Sequence, residues 1–293
     1  MIYQNLRRRI DYLLAPDASR KKRELRMKID LFRPGCKYRD EYAEEIAYMK
    51  ARDSITMFPY AFRERYRELA IEVRWDEEKE LFYVLHDGRR LYYPSDMSED
   101  TVRNMYRAIR LEQDVESPHR YFSEGFEFAN NGIFCDVGCA EANLALEVAD
   151  QAKAVLLFEA SKRWLPALEA TFAPYGDKVH IINQYAGNEV NDEVTTIDHE
   201  LKRRGLEGEV YIKIDAEGSE EEILDGAKDT LKERKVNGAV CTYHRQEDAQ
   251  KFEKRFTDMG FQTEFSRGWC IYIQSKELEP PYFRKGLIRI SNF

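Results

Sequence analysis

The stretch Gly132-Ile-Phe-Cys-Asp-Val-Gly-Cys-Ala-Glu-Ala-Asn-Leu-Ala-Leu-Glu-Val-Ala149 limits the folds open to this chain more than any other part of it. A short apolar run ends on Asp136, a Val-Gly turn follows, and good helix formers begin at Leu144. This order predicts a buried strand, a tight turn and a helix, the opening unit of a nucleotide-binding α/β sheet. Because Gly138 in the turn lacks a Cβ, we expect the backbone there to approach a ligand closely.

Strand and helix patterns alternate from this stretch to the C-terminus. Short β-rich runs follow at residues 154–158, 179–182, 210–214 and 239–243, with helical patterns between them. This rhythm is typical of a mostly parallel sheet. Two further runs, 261–265 and 270–273, flank a turn at Arg267-Gly268 and predict an antiparallel C-terminal hairpin. We therefore expect an α/β domain over residues 116–293.

Residues 1–115 have a different character. Helical spacing extends over residues 1–52, with a break at Pro16, one helix from Ser19 towards Leu31 and another over 40–52. Runs at 70–75, 81–85 and 91–93 predict a small antiparallel meander, and a helix follows over 98–111. No catalytic motif is visible here. We expect an accessory region or a homodimer contact that packs on the carboxyl edge of the sheet or on a neighbouring subunit and helps to shape the acceptor pocket.

Composition excludes several functional classes. The chain of 293 residues contains no apolar run near the roughly 18 residues of a membrane span, and no signal peptide begins it. We expect a cytoplasmic protein without stable membrane insertion. The net charge of −8 disfavours general nucleic-acid binding. The five cysteines are scattered and show no CxxC pair, so buried free thiols are expected rather than disulfides or zinc.

The charge is unevenly spread along the chain. The first sixty residues carry 14 Lys and Arg against 9 Asp and Glu, although the whole chain is acidic. Most of this excess lies in Arg7-Arg8-Arg9 and Arg20-Lys21-Lys22-Arg23. Two interpretations remain open, a solvated helix face and a basic docking surface for an anionic partner.

Polar residues follow the predicted strands where a ligand crevice is expected. Asp136 and Gly138 follow the first strand, and Glu159 ends the second, 23 residues after Asp136. An acidic side chain at that position can accept hydrogen bonds from two ribose hydroxyls. Asn183 and Gln184 follow the third strand and could meet an adenine edge.

The turn sequence indicates which nucleotide is bound. It reads Gly138-Cys-Ala-Glu-Ala-Asn143, which is neither GxGxxG nor part of a GxxxxGK[ST] motif. A nucleoside without phosphates is therefore favoured over a pyrophosphate, and S-adenosylmethionine is such a ligand. Its amino-acid end would lie over the turn and its adenosine over the second and third strands. The predicted cofactor-binding residues are Asp136, Gly138, Cys139, Ala140, Glu159, Ala160, Asn183 and Gln184.

Two motifs carry a resemblance to a known family. Asp136-Val-Gly-Cys-Ala-Glu-Ala-Asn resembles motif I of class I S-adenosylmethionine-dependent methyltransferases. Ile212-Lys-Ile-Asp-Ala-Glu-Gly-Ser-Glu220, with Ile223-Leu-Asp-Gly-Ala227 downstream, resembles the IKxDxEGxE…LxGA pattern of the FkbM-type methyltransferases. The resemblance covers residues 117–274 and implies a Rossmann-like class I methyltransferase sheet. The family commonly carries DxGxNxG in the first turn, where this chain has Ala140 and Asn143.

The resemblance implies O-methylation of a hydroxyl on a sugar, glycan or secondary metabolite, with a small-molecule or glycan acceptor. Such a reaction needs a base for the hydroxyl proton. Asp215 and Glu217 end the fourth strand, and His244 directly follows the fifth, so these three are the catalytic candidates. Glu217 could instead cap the helix that starts near Ser219. Asp215 and Glu217 could hold Mg²⁺, but a third ligand is not evident and no metal is expected.

Two other functions remain open. A nicotinamide-dependent oxidoreductase would also place Glu159 on a ribose, but it needs the glycine-rich pyrophosphate turn that is missing here. A non-catalytic nucleoside-binding module would keep the fold without turnover. The acidic residues at the predicted strand ends argue mildly against such a loss.

Overall fold

The computed structural model describes residues 18–275 and 278–293. The helix expected over the first fifteen residues lies outside these ranges. The N-terminal part described consists of helices and a three-stranded antiparallel sheet in the order β1-β2-β3. These strands are β1 (Val73–Asp76), β2 (Leu81–His86) and β3 (Arg89–Tyr92). The predicted meander is confirmed, and its turn at Asp87-Gly88 has both residues in the left-handed region.

A seven-stranded sheet forms the centre of the molecule, in the order β11-β12-β10-β9-β4-β5-β6. Six strands run in the same direction, and only β12 runs antiparallel to its two neighbours, β10 and β11. A separate two-stranded sheet pairs β7 with β8. The predicted Rossmann-like, mostly parallel sheet with an antiparallel C-terminal hairpin is therefore confirmed. The strands are β4 (Ile133–Val137), β5 (Ala154–Phe158), β6 (Val179–Ile182), β7 (Tyr185–Ala186), β8 (Val194–Thr195), β9 (Val210–Ile214), β10 (Val236–Cys241), β11 (Gln262–Phe265) and β12 (Leu287–Ser291).

Helices cover both faces of this sheet and extend the N-terminal part. The α-helices are α1 (Ala18–Phe32), α2 (Ala43–Arg52), α3 (Glu64–Arg67), α4 (Glu99–Glu112), α5 (Asn143–Val148), α6 (Leu165–Phe172), α7 (Ile197–Arg203), α8 (Glu220–Asp225), α9 (Lys228–Glu233) and α10 (Asp248–Asp258). Short 3₁₀ helices span Ala61–Arg63, Lys162–Trp164 and Ala173–Lys178. None of the helices in the described ranges is long and apolar enough to cross a membrane.

Three details of the sequence-based prediction were wrong. The fifth strand is Val236–Cys241 and not 239–243, so His244 lies three residues beyond its end. The last strand is Leu287–Ser291 and not 270–273, where Cys270 forms only an isolated bridge with Arg284. The apolar side chains of the run at 270–273 are buried against N-terminal helices. Their β-rich pattern therefore reflects burial against helices and not a place in the sheet. The helix expected over 220–231 is also broken, into α8 and α9. A Cβ on Gly226 at this break would lie 1.9 Å from the carbonyl oxygen of Gly187.

The hydrophobic core joins the N-terminal part to the sheet. Side chains on one face of the sheet, such as Phe134 and Tyr211, belong to a cluster that also contains Leu91 and Val102 from the N-terminal part. A second cluster covers the opposite face. A third packs α1 and α2 against the chain around residues 271–283. The N-terminal residues therefore pack directly on the sheet, across the boundary expected near residue 115.

Candidate active site

The turn after β4 has an unusual backbone. Gly138, Ala140 and Ala142 all lie in the left-handed region, with φ values of 69°, 46° and 57°. The second glycine of the DxGxNxG pattern thus aligns with Ala142, and our placement of the departure at Asn143 was one position late. A left-handed alanine is strained, because its Cβ crowds the neighbouring carbonyl oxygen. The loop therefore holds two alanines in a strained backbone conformation.

Gly138 is required by a contact that the sequence did not suggest. A Cβ at this position would lie 2.1 Å from the carbonyl oxygen of Asp215. The amide of Asp215 also donates to the carbonyl of Val137, at 3.1 Å. The close approach is therefore between the ends of β4 and β9. The contact holds the turn after β4 against Asp215 at the carboxyl edge of the sheet.

Asp136 forms a buried ion pair with Lys213 of the adjacent strand. Nζ of Lys213 lies 2.9 Å from Oδ1 of Asp136 and donates to the carbonyl oxygen of Gly138 at 3.0 Å. Burial alone would lower the pKa of Lys213, but Asp136 and Asp215 outweigh it and raise the pKa above its usual range. Lys213 is therefore a fixed cation under the turn. It was missed in the sequence analysis, although a lysine within an otherwise apolar strand was a visible signal.

Glu159 is held against the same turn. Its carboxylate accepts the backbone amides of Ala140, at 3.1 Å, and Ser161, at 2.7 Å. The side-chain amide of Asn183 donates to the carbonyl oxygens of Glu159 and Ala160, at 2.7 and 3.1 Å.

The side chain of Gln184 is engaged elsewhere. Its amide donates to the carbonyl oxygens of Asn191 and Asp192, at 2.9 and 3.3 Å. Asn183 therefore positions the end of β5, and Gln184 holds the turn between β7 and β8. Their predicted contact with adenine stays a prediction.

A narrow cleft opens over the turn after β4. Of the predicted residues, Asp136, Gly138, Cys139, Ala140 and Asp215 line it together. The remaining walls were not predicted, and several come from the end of α4 in the N-terminal part. These additional lining residues are Ile109, Glu112, Gln113, Tyr121, Glu141, Asn143, Leu144 and Lys213. Glu159, Ala160, Asn183 and Gln184 are not among the lining residues of the cleft.

Asp215 lies at one end of this cleft in a cage of aromatic side chains. Its carboxylate accepts the hydroxyls of Tyr121, at 3.2 Å, and Tyr243, at 2.9 Å. Nε2 of His119 and Nε2 of His244 lie 3.8 and 3.6 Å from its oxygens. Asp215 is 3 % exposed. These aromatic partners lie far apart in the sequence, so no local spacing of residues could predict that they meet at Asp215.

His244 forms an ion pair with Glu220. Nδ1 of His244 lies 2.8 Å from Oε1 of Glu220, and Nε2 lies 3.7 Å from Oε2 of Glu217. Burial alone would lower the pKa of His244, but the carboxylates of Glu220, Glu217 and Asp215 raise it from 6.5 to about 9. His244 is therefore an imidazolium at neutral pH.

Glu217 faces the same cluster from a left-handed backbone, with φ of 54°. It accepts the hydroxyl of Tyr272 at 2.5 Å. Its side chain retains 21 % exposure, against 2 % for that of Asp215.

The expected capping alternative for Glu217 is not seen. Glu220 instead accepts the amides of Ala216 and Gly218, at 3.0 and 3.3 Å. Glu220 itself was missed, although it ends the quoted IKxDxEGxE motif.

One buried group could in principle hold a metal ion. His119, Asp215 and Cys241 each place a ligand atom within 4.8 Å of the others. Nε2 of His119 contacts the sulfur of Cys241 at 3.5 Å, and Tyr121 donates to Asp215. Because hydrogen bonds account for these contacts, we describe the group as part of the polar network. Glu217, which we had paired with Asp215 as a magnesium ligand, is not in this group.

A family model and several solved structures are similar to parts of this chain. The sequence model described as "Methyltransferase FkbM domain" matches residues 143–265. A solved structure of methyltransferase FkbM from Methylobacillus flagellatus KT is 19% identical and has a TM-score of 0.45, and the match covers 66% of this chain and 55% of that one. Precorrin-6y C5,15-methyltransferase from Geobacter metallireducens GS-15 is 14% identical with a TM-score of 0.37, covering 62% of this chain and 88% of that one. No curated protein sequence matches this chain.

The family match starts at the helix after the motif I turn and includes the whole Ile212–Glu220 motif. S-adenosylmethionine is the cofactor that this family implies. The predicted resemblance is therefore confirmed over residues 143–265, which match the model of the methyltransferase FkbM domain.

Proposed function

We propose that this protein is an O-methyltransferase that methylates a hydroxyl group of a sugar, glycan or secondary metabolite. The observation that carries the proposal is the position of Asp215. It lines the cleft over the motif I turn and also belongs to the cluster of Glu217, Glu220 and His244. A methyl-donor site and an acid–base cluster thus meet at one side chain.

The donor set around the cleft fits S-adenosylmethionine. The cofactor has two positive groups, an ammonium and a sulfonium, and one carboxylate. The cleft is lined by the acidic side chains of Glu112, Glu141 and Asp215 and by the Asp136–Lys213 ion pair. The acidic side chains can attract the ammonium and the sulfonium, and Lys213 can attract the carboxylate, because opposite charges attract more strongly in a partly desolvated site. The same walls show no cluster of cations for a pyrophosphate, which disfavours the nicotinamide alternative.

Glu159 fits the ribose. The two backbone amides fix its carboxylate against the turn at Ala140, and a carboxylate at this strand end is the kind of acceptor that ribose hydroxyls need. We assign Asp136, Gly138, Cys139 and Ala140 to the amino-acid end of the cofactor and Glu159 to the ribose.

Glu217 is the base in this proposal. When bound, S-adenosylmethionine supplies a sulfonium methyl group to which an acceptor oxygen can bond. The acceptor hydroxyl must lose its proton as that bond forms, and a neighbouring carboxylate can take it. Glu217 is suited to this task because it is ionisable, partly exposed and next to Asp215. His244 is not, because a protonated imidazole has no lone pair with which to accept a proton.

The other cluster residues position Glu217. The His244 imidazolium lies among three carboxylates and offsets their mutual repulsion. The Tyr272 hydroxyl orients Glu217, and the two tyrosine hydroxyls on Asp215 fix the wall of the cleft. Arg284 donates to the carbonyl oxygens of Tyr243 and His244, at 2.8 and 2.6 Å, and so holds that strand end.

A labelling experiment tests the proposal. The full chain is incubated with methyl-labelled S-adenosylmethionine and a panel of monosaccharides, oligosaccharides and phenolic or polyketide hydroxyl compounds. The proposal predicts labelled product with the methyl group on oxygen, located by NMR. Label on nitrogen or carbon would contradict O-methylation. Binding of the cofactor without transfer to any compound in the panel would favour the non-catalytic module.

A further inference from the structure

We propose that the outward face of helix α1 binds the surface of an anionic lipid bilayer. This inference is independent of the proposed chemistry. The helix spans Ala18–Phe32 and docks through Met27 and Leu31, which are 1% and 0% exposed. It is anchored further by Arg23, whose Nε donates to the carbonyl oxygen of Ile273 at 3.0 Å.

The opposite face carries apolar side chains in water. Leu25 and Ile29 lie one helical turn apart, and each is 60 % exposed. Contact with water is unfavourable for two large aliphatic side chains that lie next to each other on one helix face. Such a pair therefore indicates a surface that a partner covers. They project away from the cluster that buries Met27 and Leu31.

Cations surround this apolar pair. Lys21 and Lys22 lie on the preceding turn and are exposed, and Arg26 lies beside Leu25 and is also exposed. Positions three and four residues apart share a helix face, so Lys21 and Lys22 both border Leu25. Arg26 makes one exposed contact, with Glu279 at 3.3 Å.

The acidic residues of the helix are engaged elsewhere. Glu24 pairs with Arg20 at 3.1 Å, and Asp30 accepts the hydroxyl of Tyr282. The outward face therefore combines two exposed aliphatic side chains with a basic border.

This combination fits a bilayer surface better than other anionic partners. Apolar side chains can enter the boundary between headgroups and acyl chains, while lysine and arginine meet anionic headgroups. A nucleic acid would match the cations but would leave Leu25 and Ile29 in water. The net charge of the chain is −8, although its first sixty residues are basic. An anionic surface therefore attracts the N-terminal sixty residues and repels the remaining, acidic part of the chain.

Helix α1 is also connected to the candidate active site, because it packs against the segment of the chain that supplies Tyr272. Ile271 and Ile273 pack in the cluster that holds α1, whereas Tyr272 between them reaches Glu217. A bilayer bound at α1 would therefore contact an element that packs on the segment supplying Tyr272.

The experiment uses the full chain and two kinds of vesicle, phosphatidylcholine alone and phosphatidylcholine mixed with phosphatidylglycerol, in a flotation assay. We expect the protein to bind the mixed vesicles at least tenfold more than the neutral ones, since basic residues near an anionic surface favour binding. The double variants K21E/K22E and L25S/I29S should each lose about tenfold or more of this binding.

Matched controls define the outcome. K228E/K232E changes two exposed lysines of α9, and Val190→Ser changes an exposed aliphatic residue; both should bind like the wild type. Circular dichroism establishes that every variant is folded. Equal losses in the α1 and α9 variants, or no preference for anionic vesicles, would overturn the proposal. Binding to heparin or RNA that depends on Lys21 and Lys22 but not on Leu25 and Ile29, without vesicle binding, would assign the face to a soluble polyanion.

Discussion

Nδ1 of His244 lies 2.8 Å from Oε1 of Glu220, and both side chains are almost completely buried. A buried ion pair of this kind is weak evidence for overall stability, but loss of one partner leaves an uncompensated charge. The same imidazole lies within 3.7 Å of Glu217 and Asp215. The charge of His244 therefore organises the acidic residues at the end of β9.

The charge on His244 should make stability depend on pH. Its pKa is raised from 6.5 to about 9 in the folded protein, so its contribution is complete below pH 6.5 and lost as pH rises through about 9. A shift of this size corresponds to on the order of 3 kcal/mol. We predict that the free energy of unfolding in urea falls between pH 6.5 and 9 in the wild type.

Two variants check the assignment of this pH dependence. His244→Gln should be less stable at pH 7 and should show a flat profile over the same range. His199→Gln, which changes an exposed histidine, should keep the wild-type slope. An unchanged slope in His244→Gln would show that another group titrates.

The base assignment gives a prediction for Glu217. Glu217→Gln should lower turnover by about 100-fold or more, because general base catalysis contributes roughly that factor. The Kd for S-adenosylhomocysteine should stay within about twofold of the wild type, since Glu217 lies outside the cofactor walls. The matched control is Glu222→Gln, an exposed glutamate of α8. If Asp215→Asn abolished turnover and Glu217→Gln did not, the role would pass to Asp215.

The buried pair of Asp136 and Lys213 should behave as a unit. Each of Asp136→Asn and Lys213→Met leaves one buried charge unpaired, which costs about 3–5 kcal/mol. The double variant should be destabilised by clearly less than the sum of the single effects. Urea unfolding of the four proteins measures this coupling. Additive effects would mean that the 2.9 Å contact contributes little.

Gly138 tests the contact between β4 and β9. Gly138→Ala combines a left-handed φ of 69° with a Cβ 2.1 Å from a backbone oxygen, so we expect a loss of about 2–4 kcal/mol. Gly88→Ala has a similar φ of 81° but no heavy atom within 4 Å, and should cost only about 1–2 kcal/mol. Thermal unfolding compares them. Equal losses would show that backbone strain alone explains the glycine.

Much of the fold could be predicted because its signals are local. The strands 154–158, 179–182 and 210–214 were predicted with the bounds that the structure shows, since each is a compact apolar run between polar residues. The last strand was misplaced because two apolar runs competed. The run at 270–273 buries its apolar side chains against α1 and α2. That burial depends on tertiary contacts, which a local sequence pattern does not reveal.

The candidate site divides in the same way. Asp136, Glu159 and Asp215 follow strands and could be placed from the topology of a parallel sheet. Tyr121 and Tyr272 reach the same cluster from segments with no periodic signal. The protonation of His244 was also invisible in the sequence, because it depends on Glu220, a residue 24 positions away whose carboxylate lies 2.8 Å from the imidazole.

The central claim is that the cleft over the motif I turn binds S-adenosylmethionine with Glu159 on the ribose. Isothermal titration calorimetry with S-adenosylhomocysteine tests it most directly. We predict binding by the wild type, with one site per chain, and a loss of about 1–3 kcal/mol of binding free energy in Glu159→Ala. The control Glu169→Ala, which changes an exposed glutamate of α6, should bind like the wild type. No binding of S-adenosylhomocysteine, binding of NAD in its place, or an unchanged Kd in Glu159→Ala would contradict the account.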